Sequence, residues 1–276
     1  MRAKRPFFFF HIPKTAGSSM QTILSQHFAP DEIAAAGDWT SLLRLDRKGL
    51  SRAKLFQGHF YGPMERVIGR PCFRFAMIRD PVDRALSHFG HVLRDEGHYL
   101  HKRALGLGSL ESFLEDPTGR MTVSNFQARM LALEFDVEKH YGNLSEIQRD
   151  QWALECHIET ADLGPKGCQL LSAARAKLES FDAIGITERF AESLALLCYK
   201  QGWEYPKEIQ DKNVNATRLQ RSELAPATMQ RLVDLNEVDI ALYLVACKIF
   251  ESRCREMLVD LVNARARKGL SRLISG

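Results

Sequence analysis

The sequence has few of the features that mark membrane-spanning, secreted or metal-binding proteins. Its longest early apolar run, Phe7 to Phe10 with Ile12, is far too short to span a bilayer, and its flanks lack the small-residue cleavage site of a secretory signal. The six cysteines form no C-x-x-C pair, which disfavours a zinc site and favours free thiols. We therefore expect a soluble protein in the reducing environment of the cytoplasm.

The chain also lacks a broad excess of charge of one sign. Its formal net charge is +4. Residues 252–276 carry six basic and two acidic side chains, so this tail accounts for the whole excess. A balanced remainder argues against a nucleic-acid-binding face. The tail is either the solvated end of a helix or a weak contact for an anionic membrane surface or substrate.

Four apolar runs are predicted to be buried strands, and helical patterns separate and follow them. The strands are Phe7–Ile12, Lys54–Phe60, Cys72–Ile78 and Phe181–Ile186. The helices are Val82–Arg94, Ser124–Leu133, Ser145–Thr160, Gln169–Leu178, Phe190–Lys200, Pro226–Ile249 and Arg253–Arg267. Few strands separated by helices indicate an α/β fold with a parallel sheet flanked by helices. We expect one domain over residues 1–276, with a helical insertion at about 109–178 and a basic helical tail at about 252–276.

The strongest local signal is the loop that joins the first strand to the first helical pattern. It reads Pro13, Lys14, Thr15, Ala16, Gly17, Ser18, Ser19. Such a loop directs backbone N–H groups and the positive end of a helix dipole toward one point, where a lysine and hydroxyls suit a phosphate. The loop is P-loop-like, but it is not a Walker A motif, because the lysine precedes the glycine. The alternative is an ordinary strand–turn–helix with polar capping.

A second signal follows the third predicted strand. Arg79 comes at the carboxyl end of that strand, where open α/β sheets bind ligands, and Asp80 can cap the next helix. Ser87 lies two turns into this helix and could face the same space. An arginine fork with a hydroxyl is a good receptor for a phosphate that is held and not transferred. The alternative is that Arg79 pairs with Asp80 or Asp83.

The loop with Lys14 and the strand end with Arg79 are two candidate anchors for phosphate groups. Through both of them the chain resembles the PAPS-dependent carbohydrate sulfotransferases of the Golgi type, the group of the heparan sulfate 2-O-sulfotransferases and their bacterial relatives. Further blocks carry the resemblance, and they are Gln57–Phe60, Asn125–Arg129, Phe181–Phe190, Asn213–Arg218 and Asn236–Tyr243. The resemblance implies that the first loop binds the 5′-phosphosulfate end of 3′-phosphoadenosine-5′-phosphosulfate (PAPS). It also implies that Arg79 and Ser87 bind the 3′-phosphate. The remaining cofactor contacts implied by the resemblance are Asn215, Thr217 and Arg218.

The residue types suit in-line sulfuryl transfer. Charge builds on the bridging oxygen of the leaving phosphate, so a cation there lowers the barrier, and Lys14 is the candidate. The arrangement requires no metal. His59, just after the second strand, is the candidate general base, because an imidazole titrates near neutrality. The heparan sulfate enzyme carries a His-Gly-His segment at this place, whereas the first position here is Gln57.

Other side chains are candidates for the acceptor site. His88 and His91, then His98 and His101, have H-x-x-H spacing, and such pairs on a helix can bind a metal ion. No acidic or cysteine ligand completes a metal site here, which favours solvated or substrate-contacting histidines. The second pair lies in a Gly-rich passage, Glu96–Gly108, which we expect to be a mobile loop that contacts a sugar or anionic acceptor. The candidate contacts are Arg94, His98, Lys102, Asn125 and Arg129.

These observations favour a sulfotransferase acting on a hydroxyl of a carbohydrate or glycoconjugate. Two alternatives remain open at this point. One is a P-loop kinase-like phosphotransferase, which needs a Mg²⁺-holding acid for which Asp80 is the candidate. The other is a non-catalytic nucleotide- or glycan-binding protein, against which the presence of both Lys14 and His59 argues.

Overall fold

The computed structural model describes residues 5–62, 64–149, 164–208 and 219–274, with side chains to residue 267. Its centre is a four-stranded parallel sheet with the order β2-β1-β3-β4. The strands are β1 (Phe7–Phe10), β2 (Leu55–Gly58), β3 (Phe73–Ile78) and β4 (Ala183–Ile186). Each lies within a run predicted from the sequence. The predicted α/β class, with a parallel sheet flanked by helices, is therefore confirmed.

Helices connect and cover the strands. Those before and after β2 and β3 are α1 (Gly17–Ser25), α2 (Trp39–Leu43), α3 (Arg47–Arg52), α4 (Met64–Ile68) and α5 (Pro81–Arg94). Between β3 and β4 follow α6 (His101–Leu107), α7 (Leu110–Glu115), α8 (Pro117–Met121), α9 (Phe126–Ala132), α10 (Val137–Gly142) and α11 (Cys168–Glu179). After β4 come α12 (Phe190–Gln201), α13 (Pro226–Leu235) and α14 (Glu237–Ile274). None of these described helices combines the length and the apolar character needed to cross a membrane.

The phenylalanines of β1 show why the strand is central. Phe7 and Phe9 pack on one face of the sheet, in a cluster with Met20 of α1. Phe8 and Phe10 pack on the opposite face, in the largest cluster, which includes residues of α9, α11 and α14. Because successive side chains of a strand point to opposite faces, four consecutive apolar residues are required where both faces are covered.

The helix boundaries near the C-terminus differ from the prediction. The patterns Pro226–Ile249 and Arg253–Arg267 predicted one break between residues 249 and 253, whereas α14 runs through that segment. The break lies instead at Asn236, which has φ −125° and ψ 22° and is buried. Its side chain donates to the carbonyl of Leu232 at 2.9 Å, which ends α13. Of the predicted helix Ser145–Thr160, residues 146–149 are helical and residues 150–160 lie outside the described residues.

Candidate functional site

The loop between β1 and α1 has an unusual backbone. Lys14 and Ala16 have φ values of 71° and 63°, in the left-handed region, although neither is glycine. The buried hydroxyl of Thr15 donates to the carbonyl of Ile12 at 2.8 Å and holds the turn. Within the described residues no side chain caps α1. The first N–H groups of a helix have no acceptor within it, so those at this end are oriented toward a common point beyond the loop.

Gly17 is required by the packing behind the loop. A Cβ atom at this position would lie 1.7 Å from Nε2 of His11. The His11 ring is itself fixed, because it stacks between Phe9 and His59 with centroid distances of 5.3 Å and 4.6 Å. The start of α1 therefore approaches the His11 ring more closely than any side chain at position 17 would allow.

Lys14 lies in a strongly cationic environment. Its pKa is lowered to about 8, first by burial and then by the positive charges of Arg94, Arg79 and Arg84, while Asp95 acts in the opposite direction. An ammonium group that is partly desolvated among other cations is electrostatically unfavourable until an anion reaches it. Lys14 therefore has the properties of a ligand for a negatively charged group.

Arg79 and Lys14 are connected directly. Nη1 of Arg79 donates to the carbonyl oxygen of Lys14 at 2.9 Å, and Nε lies 3.9 Å from a carboxylate oxygen of Glu188. Asp80 caps α5 by accepting hydrogen bonds from the N–H groups of Val82 and Asp83, as the sequence predicts. The structure thus brings the two predicted phosphate anchors together.

Arg221 and Glu188 are neighbours of this site that the sequence did not reveal. Arg221 forms ion pairs with Asp80 and Asp83, and its Nε lies 2.9 Å from Oδ1 of Asp83. Glu188 accepts a hydrogen bond from the N–H group of Asp80 at 3.1 Å, and burial raises the pKa of its carboxyl group. Both lie more than 100 residues from their partners in the chain, so no local pattern could have indicated them.

His59 is half-buried at the end of β2, and its ring stacks on that of His11, which precedes the loop between β1 and α1. Its Nδ1 lies 3.3 Å from the carbonyl oxygen of His11 and 3.2 Å from the hydroxyl of Tyr61. Burial lowers the pKa of the imidazole, whereas the carbonyl of His11 and the charge of Asp38 act in the opposite direction. Because the net shift is downward, the ring is neutral at pH 7.

Three of the four histidines of the H-x-x-H pairs, His88, His91 and His98, form one aromatic cluster. The ring centroid of His98 lies 5.8 Å from that of His88 and 5.5 Å from that of His91, and it stacks on Tyr99 at 4.6 Å. Among the described residues, no group of three or more histidines, cysteines or acids could hold a metal ion. Burial lowers the pKa of His91, to about 4, and that of His98, and the charge of Lys14 acts in the same direction on both.

The remaining predicted site residues have varied surroundings. Ser87 is half-buried on α5. Lys102 is exposed on α6, so the prediction of a loop over Glu96–Gly108 was wrong for His101–Leu107, which is helical. Asn125 accepts hydrogen bonds from two N–H groups at the start of α14, and Arg129 donates to the carbonyls of Met121 and Ser124. These bonds within the protein account for Asn125 and Arg129 without a substrate. The predicted cofactor contacts Asn215, Thr217 and Arg218 lie outside the described residues.

A parallel sheet whose first strand leads through a cationic, left-handed loop into a helix defines a P-loop-like α/β protein. Residues 1–244 match the protein family described as the Sulfotransferase family, and the chain belongs to this family. Its activity is therefore of the sulfuryl-transfer class, and the reaction requires an acceptor substrate. No curated protein matches the chain closely enough to count as a relative.

Proposed function

We propose that this protein transfers the sulfuryl group of PAPS to a hydroxyl group of a carbohydrate or glycoconjugate. The observation that carries the proposal is the contact between Arg79 and the backbone of Lys14, because it joins two cationic anchors at the carboxyl end of the parallel sheet. Two anchors suit a ligand with negative groups at two places. Family membership favours this function over a kinase-like phosphotransferase.

The donor groups of the site fit such a cofactor. The open N–H groups at the start of α1, Lys14 and the exposed hydroxyl of Ser18 would hold the 5′-phosphosulfate end. Arg79 and Ser87 would hold the 3′-phosphate. When bound, PAPS supplies the sulfuryl group and a phosphate leaving group. The cationic surroundings that lower the pKa of Lys14 support the assignment, because an anion there relieves the repulsion.

Two side chains have roles in the reaction itself. Lys14 would place its charge beside the bridging oxygen of the leaving phosphate, so the proposal does not need a metal ion. His59 would accept the proton of the acceptor hydroxyl. If Nδ1 carries the proton and donates to the carbonyl of His11, Nε2 is the unprotonated nitrogen and can act as the base.

The acceptor site is proposed to lie beside the histidine cluster. Arg94 and His98 are the candidate contacts, since the ring of His98 lies 5.5 Å from that of His91, which is one turn before Arg94 on α5. A carbohydrate acceptor is implied by the sequence resemblance. Gln57, at the first histidine position of that resemblance, donates to the hydroxyl of Ser25 at 2.8 Å.

We also propose a cytoplasmic location and no nucleic-acid partner. The five cysteines of the described residues are unpaired, and disulfides persist mainly in oxidising compartments. The basic C-terminal helix remains a candidate for weak contact with an anionic membrane surface.

Calorimetric titration with 3′,5′-adenosine bisphosphate, the product of PAPS, tests the cofactor assignment. We expect tight binding without magnesium, no comparable binding of ATP, and loss of binding in Arg79→Ala. Arg103→Ala is a matched control, because this exposed arginine pairs with Asp116 and has no proposed contact with the cofactor. Binding of ATP that depends on magnesium would overturn the proposal in favour of a phosphotransferase.

A further inference from the structure

Two helices of the described chain cap each other. The side-chain oxygen of Asn125 accepts hydrogen bonds from the N–H groups of Val238 and Asp239 at 3.0 Å and 3.1 Å, at the start of α14. The carboxylate of Asp239 in turn accepts hydrogen bonds from the N–H groups of Gln127 and Ala128 at 2.9 Å and 2.7 Å, at the start of α9. These reciprocal caps fix the N-terminus of α9 in the protein interior.

The side chain of Gln127 extends from this fixed helix end to the end of β3. Its oxygen accepts the N–H group of Arg79 at 3.0 Å, and its amide nitrogen donates to the carbonyl of Arg79 at 2.8 Å. The last paired residue of β3 is Ile78, opposite Ile186 of β4. The carboxamide of Gln127 therefore gives the backbone of Arg79 the hydrogen bonds that β4 gives to the residues of β3 before Arg79.

We propose that Gln127 is a positioning residue for the phosphate site. Its two hydrogen bonds fix the backbone of Arg79, and the Arg79 side chain then reaches the carbonyl of Lys14. Both anchors thus depend on a fully buried amide that would touch neither phosphate. The inference rests on the proposed function, since its main measurement is binding of the bisphosphate.

Gln127→Glu tests the proposal with almost no change of shape. The carboxylate of Glu can still accept the hydrogen bond from the N–H group of Arg79, but it has no proton to donate to the carbonyl oxygen of Arg79 and repels it. The protonated carboxylic acid can make both hydrogen bonds. We expect the affinity for 3′,5′-adenosine bisphosphate to fall about tenfold relative to wild type at pH 8, and the loss to shrink at pH 6. Gln127→Met removes both hydrogen bonds and is expected to show the loss at both pH values.

Asn236→Asp is the matched control. Asn236 is also a buried amide at the junction of α9 and α14, where it accepts from the N–H group of Asn125 and donates to Leu232. Because these hydrogen bonds join Asn236 to Asn125 and Leu232 and not to Arg79, this variant should lose stability but keep its affinity for the bisphosphate. Equal losses in Asn236→Asp and Gln127→Glu, or wild-type affinity in both Gln127 variants, would overturn the proposal.

Hydrogen exchange of the free protein separates this inference from the proposed function. Peptides that contain Arg79 and Lys14 should exchange faster in Gln127→Glu than in Asn236→Asp. If wild-type protein failed to bind the bisphosphate, the proposed cofactor would be wrong, while the exchange result would still decide whether Gln127 holds these segments. Unchanged exchange in both peptides would contradict the positioning role.

Discussion

Binding of an anion at Lys14 should draw a proton from the solvent. The pKa of this lysine is about 8 in the free protein instead of 10.5, because it is buried and faces Arg94 and Arg79. A phosphate beside it supplies the opposite charge and raises the pKa again. The free protein loses the proton as the pH rises through 8, whereas the complex keeps it.

The expected uptake follows from the two pKa values. At pH 8, about half of the Lys14 side chains are uncharged before binding, so a ligand that restores the pKa to near 10.5 takes up about half a proton. By the same relation the uptake is about one tenth of a proton at pH 7 and about nine tenths at pH 9. The steep rise between pH 7 and pH 9 is the characteristic signature.

Calorimetry in buffers of different ionisation enthalpy measures this uptake, since each proton taken from the buffer adds its ionisation enthalpy to the observed heat. Lys14→Arg is the control, because a guanidinium stays charged throughout this range. It should still bind 3′,5′-adenosine bisphosphate but lose the pH-dependent uptake, while contributions from histidines remain in both proteins. Equal uptake by wild type and Lys14→Arg at pH 9 would refute the reasoning.

Two further predictions concern His59 and Gly17, which packs against His11. His59→Gln should lower kcat by roughly 10²–10⁴-fold without changing the affinity for the bisphosphate, because a general base is lost. In the wild type, kcat/KM should decrease on acidification with a midpoint below pH 6.5, because the pKa of His59 is lowered and its neutral form is the active one. A retained kcat in the variant would remove His59 from the mechanism. Gly17→Ala should lower the free energy of unfolding by about 1–3 kcal/mol, because its Cβ would lie 1.7 Å from the ring of His11, and an unchanged Tm would contradict this.

The fold was predictable because both faces of the sheet are covered. Strands such as Phe7–Phe10 then appear as uninterrupted apolar runs, which local sequence shows directly. The turn after β1 was predictable as well, although the predicted loop Pro13–Ser19 is shorter in the structure, because Gly17, Ser18 and Ser19 already belong to α1. The break at Asn236 was missed, because the helical pattern of apolar residues continues across it, and the hydrogen bonds that join Asn236 to Leu232 and Asn125 exist only in the folded chain.

The surroundings of the site were less predictable than its anchors. Gln127 acts through two hydrogen bonds to the backbone of Arg79, 48 residues away, and Glu188 accepts one from Asp80, 108 residues away. No periodicity reports such pairs, because each depends on the final arrangement of the sheet. The hydrogen bonds that the start of α14 donates to the side chain of Asn125 were equally hidden, because they join residues 113 and 114 positions apart.

The reciprocal caps of α9 and α14 also determine when during folding the site is completed. Asn125 and Asn236 lie 111 residues apart, so their contact closes a very long loop, and contacts of that kind form late. During synthesis, β1, the loop that follows it and β3 leave the ribosome long before Asp239 does. The two anchors would therefore form early as a loose pair, and docking of the last long helix would convert them into a rigid site.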